Sequence, residues 1–252
     1  MTIMGTTELA DSPSTQLAEF AIAPEAARSF DARHLTNLFV NYVGCALAGS
    51  NTPTSDAAVR GCRAFSSGGS ARLIGRGEQV SSSDAVLLDC LSSAVLAFDD
   101  THLATILHPT GPVASALLGI ARTRQLTGKA FLDALAVGIE IQCRVALAFA
   151  SPNTGAKLGW YATGLAGGIG AAAAVGRVLS FDVKQLSNAL GLAAATGGGN
   201  RATHGSMATP FVPAFAAECG MCSQKAHTTA AISASSASPN SPPAKLLVKS
   251  RM

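Results

Sequence analysis

The stretch LGWYATGLAGGIGAAAAVG, Leu158–Gly176, decides which fold the chain can adopt. It carries no charge, and its length alone would suit a membrane span. Its residues are mainly Gly and Ala rather than Leu, Ile and Phe, so it would transfer poorly into lipid. Small residues instead let helices approach one another closely. The stretch therefore predicts a buried helix, Tyr161–Leu179, with other helices packed against its small-residue faces.

Helical patterns continue on both sides of this stretch. Asp182 and Gln185 stand three residues apart and predict a capping box for the next helix. Upstream, Glu140 and Arg144 are expected to pair at i, i+4 on a long helix. The other predicted helices are Thr15–Arg28, Ala32–Ala48, Ala57–Phe65, Ala85–Ala97, Thr110–Thr123, Gly128–Ala150 and Val183–Ala195. Strand signals are few, so the predicted fold class is all-α, a multi-helix bundle.

Composition divides the chain into three parts. Residues 1–15 are polar and predict a flexible tail, whereas 16–221 predict one helical domain. After Met221 the sequence is rich in Ser, Ala, Thr and Pro and shows no apolar period. Residues 222–252 are therefore predicted to be disordered.

Charge content bears on partners and compartment. Charged residues make up only 13% of the chain, against about 25% in typical soluble domains. Such a surface is expected to be covered, either by another subunit or by a missing domain. The net charge of +3 gives no reason to invoke nucleic acid or a membrane. The N-terminus has no apolar segment typical of secretion signals, so an intracellular location, cytoplasm or mitochondrion, is expected.

Metal and redox chemistry have little support in the sequence. Cys219 and Cys222 form a CxxC, but without a second pair or nearby histidines that motif is weak evidence. The other four cysteines lie in apolar stretches and are expected to be small buried hydrophobes. No glycine-rich phosphate motif is present. The sequence therefore predicts neither a metal nor a cofactor.

The densest polar cluster lies within FDDTHLATILHP, Phe98–Pro109. Two carboxylates beside two imidazoles can shift each other's pKa and move protons. The alternative is structural: one aspartate caps the next helix, and the histidines make ordinary loop hydrogen bonds. The residues of this cluster are Asp99, Asp100, Thr101, His102 and His108.

A second candidate follows the glycine-rich turn at residues 196–200. Arg201 can bind a carboxylate with two hydrogen bonds, and His204 lies close to it in sequence. Backbone N–H groups in such a turn can also bind an anion. The alternative is a solvated loop with a surface arginine.

Several segments together resemble one family. FDDTH followed by HP is similar to the active-site loop of the MmgE/PrpD family, which includes 2-methylcitrate dehydratase and cis-aconitate decarboxylase. NYVGCALAGS, LIGRGEQVSSSDAVLLDCLSSAVLA and GIEIQCR resemble its helices around that loop. TGLAGGIGAAAAVGRVLSFDVKQLSNALGLAAA and GSMATPFVPAFAAECG resemble those downstream. The resemblance extends from about Leu17 to Met221.

The resemblance implies a fold and a chemistry. Family members are mainly helical and usually dimeric, so the resemblance implies a homodimer. They also carry a second, smaller lid domain, and no lid-like segment is recognised in this sequence. The implied reaction is cofactor-independent elimination of water or carbon dioxide from a small di- or tricarboxylate. Thr101 and His108 fall on active-site positions of the family, and Asp99 and Asp100 match its loop. Tyr161 stands where a histidine is common, and Thr209 stands where a substrate-binding lysine is usual.

Two hypotheses follow. In the first, the chain is a lyase in which Thr101, His108 and Tyr161, with the two aspartates, supply acid/base chemistry. Its substrate-binding residues would be His102, Arg201, His204 and Thr209. In the second, the chain is a catalytically impaired, truncated relative that serves as a helical dimerisation module or a small-acid binding module.

Overall fold

The computed structural model describes residues 12–150 and 159–236, and the regular secondary structure within them is almost entirely helical. The helices are α1 Pro13–Ile22, α2 Ala32–Gly49, α3 Pro53–Phe65, α4 Ser82–Ala94, α5 Thr110–Ala121, α6 Gly128–Ala150, α7 Ala162–Val178, α8 Val183–Thr196 and α9 Phe211–Ser236. Two short strands, β1 Ala71–Arg72 and β2 Gln79–Val80, pair antiparallel. The predicted all-α class is confirmed.

Helix α7 lies at the centre of the bundle. It packs against α5, α6, α8 and α9, and nearly all of its residues are buried. At the crossing with α6, a Cβ on Gly138 would lie 2.8 Å from the carbonyl oxygen of Gly170. The helix backbones thus approach closely only because both positions lack side chains. The predicted buried small-residue helix is confirmed, and no helix in the described residues is long and apolar enough to cross a bilayer.

Local sequence signals fix several helix ends. The capping box is present: the Asp182 side chain accepts from the backbone N–H of Gln185, whose side chain in turn accepts from the Asp182 N–H. The Arg144 Nε donates to the Glu140 carboxylate at 2.6 Å, so the predicted pair also forms. Both are confirmed as local contacts that depend little on tertiary structure.

The two ends of the helical domain differ from the predicted boundaries. Helix α1 begins at Pro13, inside the predicted tail, because the Ser12 side chain caps it by accepting from the Thr15 N–H. Helix α9 continues past Met221 to Ser236, into the first part of the predicted tail, residues 222–252. Alanine favours helix, and after Pro213 no proline occurs before Pro239. Residues 237–252 of the predicted tail lie outside the described residues.

A buried ion pair fastens the small hairpin to the bundle. The Asp89 carboxylate on α4 is 2% exposed and pairs with the guanidinium of Arg122, which follows α5. Asp89 also accepts from the backbone N–H of Ile74 at 3.0 Å. Arg122 donates to the carbonyl of Arg72 at 3.0 Å. Because these contacts satisfy buried charges with backbone partners, the hairpin position depends on the pair.

Candidate active site

The segment between α4 and α5 is a compact loop with two strained residues. Ala97 has φ 56° and Ile106 has φ 54°, in the left-handed region that residues with a Cβ rarely adopt. Within the loop, the His102 N–H donates to the Leu107 carbonyl, and the Ile106 N–H donates to the His102 carbonyl, both at 2.8 Å. These bonds close a tight turn and place His108 directly after it.

The His108 imidazole is the centre of the cluster. Its Nδ1 lies 3.5 Å from Asp99 Oδ2 and 3.3 Å from Thr101 Oγ1. The Asp99 side chain is 7% exposed and the His108 side chain 20% exposed. Three residues predicted as catalytic therefore come together. The Asp99 carboxylate lies beside Nδ1 of the His108 ring, and the ring is partly open to solvent. This arrangement can hold and orient a proton on the imidazole.

Burial changes the acidity of Asp99. Desolvation raises the pKa of Asp99 to about 6, against the opposing effect of the positive form of His108; the neighbouring Asp100 charge raises it further. A carboxyl with a pKa near 6 can exchange protons with an imidazole at neutral pH. The electrostatics of the loop thus suit proton transfer.

Asp100 has a structural partner instead. Its Oδ2 accepts from the Thr110 hydroxyl at 2.8 Å and its Oδ1 accepts from the Thr110 N–H at 3.3 Å. Pro109, at the N-cap position of α5, offers no side-chain cap, so Asp100 satisfies that helix end. Burial raises the pKa of Asp100, and the hydrogen bonds from Thr110 lower it. One aspartate therefore caps the next helix, as the structural alternative predicted for the pair.

Tyr161 borders the same space from the start of α7. Its ring centroid lies 6.2 Å from that of His108, edge-on at 86°, and 4.7 Å from that of His204. Burial, with the Asp99 charge second, raises the pKa of Tyr161 to about 12. The phenol therefore stays protonated at physiological pH and can act as a hydrogen-bond donor.

The glycine-rich turn is held beside Tyr161 by backbone bonds. The Tyr161 N–H donates to the Gly199 carbonyl at 3.0 Å, and the Arg201 N–H donates to the Gly159 carbonyl at 2.7 Å. His204 Nδ1 lies 2.9 Å from the Arg201 carbonyl. Both Arg201 and His204 are exposed, and no carboxylate in the described residues pairs with Arg201. Within that part of the chain, Arg201 thus offers an unpaired cation at the rim of the cluster.

Two predicted substrate-binding residues have partners of their own. His102 Nδ1 lies 2.8 Å from Thr105 Oγ1, inside the loop. The Thr209 hydroxyl donates to the Thr203 carbonyl at 2.6 Å and so closes the turn before α9. Among the described residues, no hydrogen bond or ring pair joins either side chain to His108 or Tyr161. Their roles in substrate binding remain predictions.

Two polar residues around the loop were not predicted from the sequence. The hydroxyl of Thr163, on α7, accepts from the His108 N–H at 3.0 Å. The side-chain amide of Gln142, on α6, donates to the Pro109 carbonyl at 2.6 Å. Each is fully buried. Thr163 lies in a small-residue run, which was a signal available, whereas Gln142 stands between the charged residues Glu140 and Arg144 and gave none. Within the described residues, no group of three or more His, Cys, Asp or Glu side chains is placed to hold a metal ion.

Comparison with known proteins identifies the family of the chain. The chain is 28% identical over 193 residues to a cis-aconitate decarboxylase-like protein, oryM, of Aspergillus oryzae; the match covers 73% of this chain and 40% of that protein. It is 25% identical over 190 residues to the cis-aconitate decarboxylase of Aspergillus terreus, covering 73% and 39%. The chain spans about two-fifths of the length of these relatives. The MmgE/PrpD N-terminal domain is matched by residues 15–235, and the chain therefore belongs to the MmgE/PrpD family.

Proposed function

We propose that the chain is a lyase that removes carbon dioxide or water from a small di- or tricarboxylate without a cofactor. The observation that carries the proposal is the His108–Asp99–Thr101 cluster, placed edge-on to the Tyr161 ring at 6.2 Å between ring centroids. Membership in a family with cis-aconitate decarboxylase relatives supports the lyase class. Those relatives make cis-aconitate the first substrate to test.

His108 is suited to move the proton at carbon. Its Nδ1 faces Asp99 and Thr101, which leaves Nε2 as the ring nitrogen for the substrate. With a proton on Nδ1, the Nε2 lone pair can take a proton from a carbon beside a carboxylate. With a proton on Nε2, the ring can deliver it to a carbanion. The Asp99 carboxylate would stabilise the ring in its cationic form.

Tyr161 would complete a dehydration, whereas a decarboxylation would use His108 as the proton donor. In a dehydration, His108 removes the carbon-bound proton, the carbon–oxygen bond breaks, and the tyrosine hydroxyl protonates the departing hydroxide. In a decarboxylation, the carbon–carbon bond breaks, its electron pair stays on carbon, and His108 supplies the proton. The raised pKa of Tyr161, about 12, keeps the donor proton in place across the physiological range.

Arg201 would bind a carboxylate group of the substrate. Its guanidinium is exposed and unpaired among the described residues, and it lies on the turn that the Tyr161 N–H bond holds in place. Two parallel N–H bonds to a carboxylate would fix the substrate's orientation. His204, beside the Tyr161 ring, would add a second contact at the same rim.

The direct test is turnover. Purified protein is incubated with cis-aconitate, 2-methylcitrate and longer alkylcitrates, and products are followed by mass spectrometry. His108→Asn is the inactive control, since asparagine keeps a polar side chain but cannot exchange protons near neutral pH. Loss of carbon dioxide or water that disappears in the control supports the proposal. A folded protein that converts none of these acids contradicts it.

Binding without turnover is the second candidate function. It is favoured by Thr209, whose hydroxyl is already bonded to the Thr203 carbonyl and which offers no cation for a substrate carboxylate. Isothermal titration with cis-aconitate or a saturated tricarboxylate would detect it. Heat of binding with no product by mass spectrometry would establish a small-acid binding module instead of an enzyme.

A homodimer would cover the apolar surface. The exposed large apolar side chains include Val40, Leu47, Phe65, Phe98, Leu103, Ile106, Leu147, Trp160, Met207 and Phe215. Sedimentation equilibrium of the purified chain should give twice the chain mass of 25.3 kDa. A monomer at micromolar concentration would contradict this proposal. We also expect the protein to act inside the cell.

A further inference from the structure

Three consecutive residues around the imidazole are each anchored in the helical core. Leu107 is fully buried and packs with Cys143 and Ala146 of α6. The His108 N–H is bonded to the Thr163 hydroxyl at 3.0 Å. The Pro109 carbonyl is bonded to the Gln142 amide at 2.6 Å. The backbone of His108 is therefore held on both sides by α6 and α7.

Gln142 has an unusual place among these anchors. Its side chain is fully buried, and its Oε1 has no hydrogen-bond partner within the described residues. A buried carbonyl oxygen without a hydrogen-bond partner destabilises the folded state. A leucine or methionine would avoid that cost on this apolar face, so the amide is expensive where it stands. Its Nε2 bond to Pro109 is the one contact that an apolar side chain could not make.

The geometry of α6 and α7 leaves room for this side chain. Gly170 lies opposite it, and a Cβ there would come within 2.9 Å of the Gln142 Cβ. The missing side chain at position 170 thus lets the glutamine extend between the helices to the loop. A small-residue crossing deep in the bundle and the loop that carries His108 are connected by one amide.

We infer that Gln142 is a positioning residue for His108, acting through the Pro109 carbonyl. It does not touch the substrate; it fixes the backbone that sets the distance from the imidazole to Asp99 and Thr101. This inference rests on the proposed acid/base role of His108, since a displacement of about 1 Å in a reacting group can cost about 100-fold in rate.

The structure supplies a matched control. Gln224 on α9 is also buried, 2% exposed, and its Nε2 also donates to a backbone carbonyl, that of Ala172, at 2.9 Å. Gln142→Met and Gln224→Met therefore remove the same kind of bond. Only the first removes it beside the loop of His108, so general destabilisation should be common to both variants.

The primary readout needs no substrate. Protein labelled with ¹³C and ¹⁵N histidine is titrated by NMR, and the His108 imidazole signals are assigned by their loss in His108→Gln. Gln142→Met should shift those signals and their titration, whereas Gln224→Met should leave them at wild-type positions. His108 signals that coincide with wild type in Gln142→Met, or that shift equally in both variants, overturn the inference.

The kinetic readout separates the two proposals. Where the wild-type protein converts cis-aconitate, Gln142→Met should lower kcat about tenfold or more and leave KM unchanged. Where it converts nothing, the proposed function fails, and the imidazole comparison still decides the role of Gln142.

If the methionine variant does not fold, Gln142→Glu replaces it, because a protonated carboxyl can donate the same bond. Its His108 signals should match wild type at acidic pH and depart as the introduced carboxyl ionises; signals that stay at wild-type positions through that ionisation overturn the inference.

Discussion

Replacing Asp99 by asparagine should stabilise the protein at neutral pH. The pKa of this carboxyl rises from its ordinary 3.8 to about 6, chiefly through burial. The folded protein thus binds more protons than the unfolded chain between these two values, so the free energy of unfolding falls as pH rises through that window. At about 1.4 kcal/mol per pKa unit, the ionised carboxylate costs the fold about 3 kcal/mol above pH 6.

An asparagine side chain mimics the protonated carboxyl and does not carry that cost. Urea unfolding of wild type and Asp99→Asn, followed by circular dichroism from pH 4 to pH 8, should show nearly equal stability at pH 4. The variant should become more stable by about 2–3 kcal/mol at pH 7–8. Asp133→Asn is the control, because it removes the same charge from an exposed pair with Lys129 and should change stability by less than about 1 kcal/mol.

Two outcomes would refute the reasoning about Asp99. One is a difference in free energy of unfolding between variant and wild type that does not change with pH. It would mean that the carboxyl has the same pKa in the folded and unfolded states. The other is a variant less stable than wild type at pH 8, which would mean that the ion pair with His108 outweighs desolvation. If Asp99→Asn gains stability but loses turnover, the protein retains this carboxylate for function at a cost in stability.

Three further predictions test the fold and the site. Gly170→Ala should lower the free energy of unfolding by about 1–3 kcal/mol, because the added Cβ would clash with backbone and with Gln142. At Gly191 a Cβ would meet nothing within 4 Å, so Gly191→Ala should raise the free energy of unfolding by up to about 1 kcal/mol, as measured by urea unfolding. Asp89→Ala should cost about 3–5 kcal/mol by the same measurement, since it strands the Arg122 charge. Tyr161→Phe should lower kcat for dehydration of 2-methylcitrate. It should leave the alkaline limb of the kcat profile below pH 10 unchanged, because the tyrosine pKa is about 12; a limb that vanishes in this variant would contradict the assignment.

Local chemistry made the helices predictable. The Asp182–Gln185 capping box and the Glu140–Arg144 pair depend on residues three or four positions apart, so the sequence contains everything that forms them. A composition rich in Ser and Thr as well as Ala predicts a tail from residue 222, whereas α9 continues to Ser236. Low-complexity composition indicates that a segment cannot form a hydrophobic core of its own. It does not exclude a helix that extends into that segment from a packed part of the chain.

Only the part of the site that lies within one loop was predictable from the sequence. Asp99, Thr101 and His108 lie within ten residues of one another, and the structure brings their side chains together. Thr163 and Gln142 are distant in sequence, and their contacts with the loop exist only because α6 and α7 cross at small residues. The small residues of α7 predict close helix packing but not which residues of α6 they meet, so residues that act through such tertiary contacts were not predictable.

The two adjacent aspartates show why the loop works as a unit. Asp100 caps α5 through Thr110, and that bond fixes the chain on the far side of His108. Asp99, its neighbour, is thereby held buried against the imidazole at a cost in stability. The strained φ of Ala97 adds to that cost. A desolvated carboxylate and an alanine with positive φ both destabilise the fold. Their occurrence in one loop around His108 is expected where the loop conformation is maintained for catalysis rather than for stability.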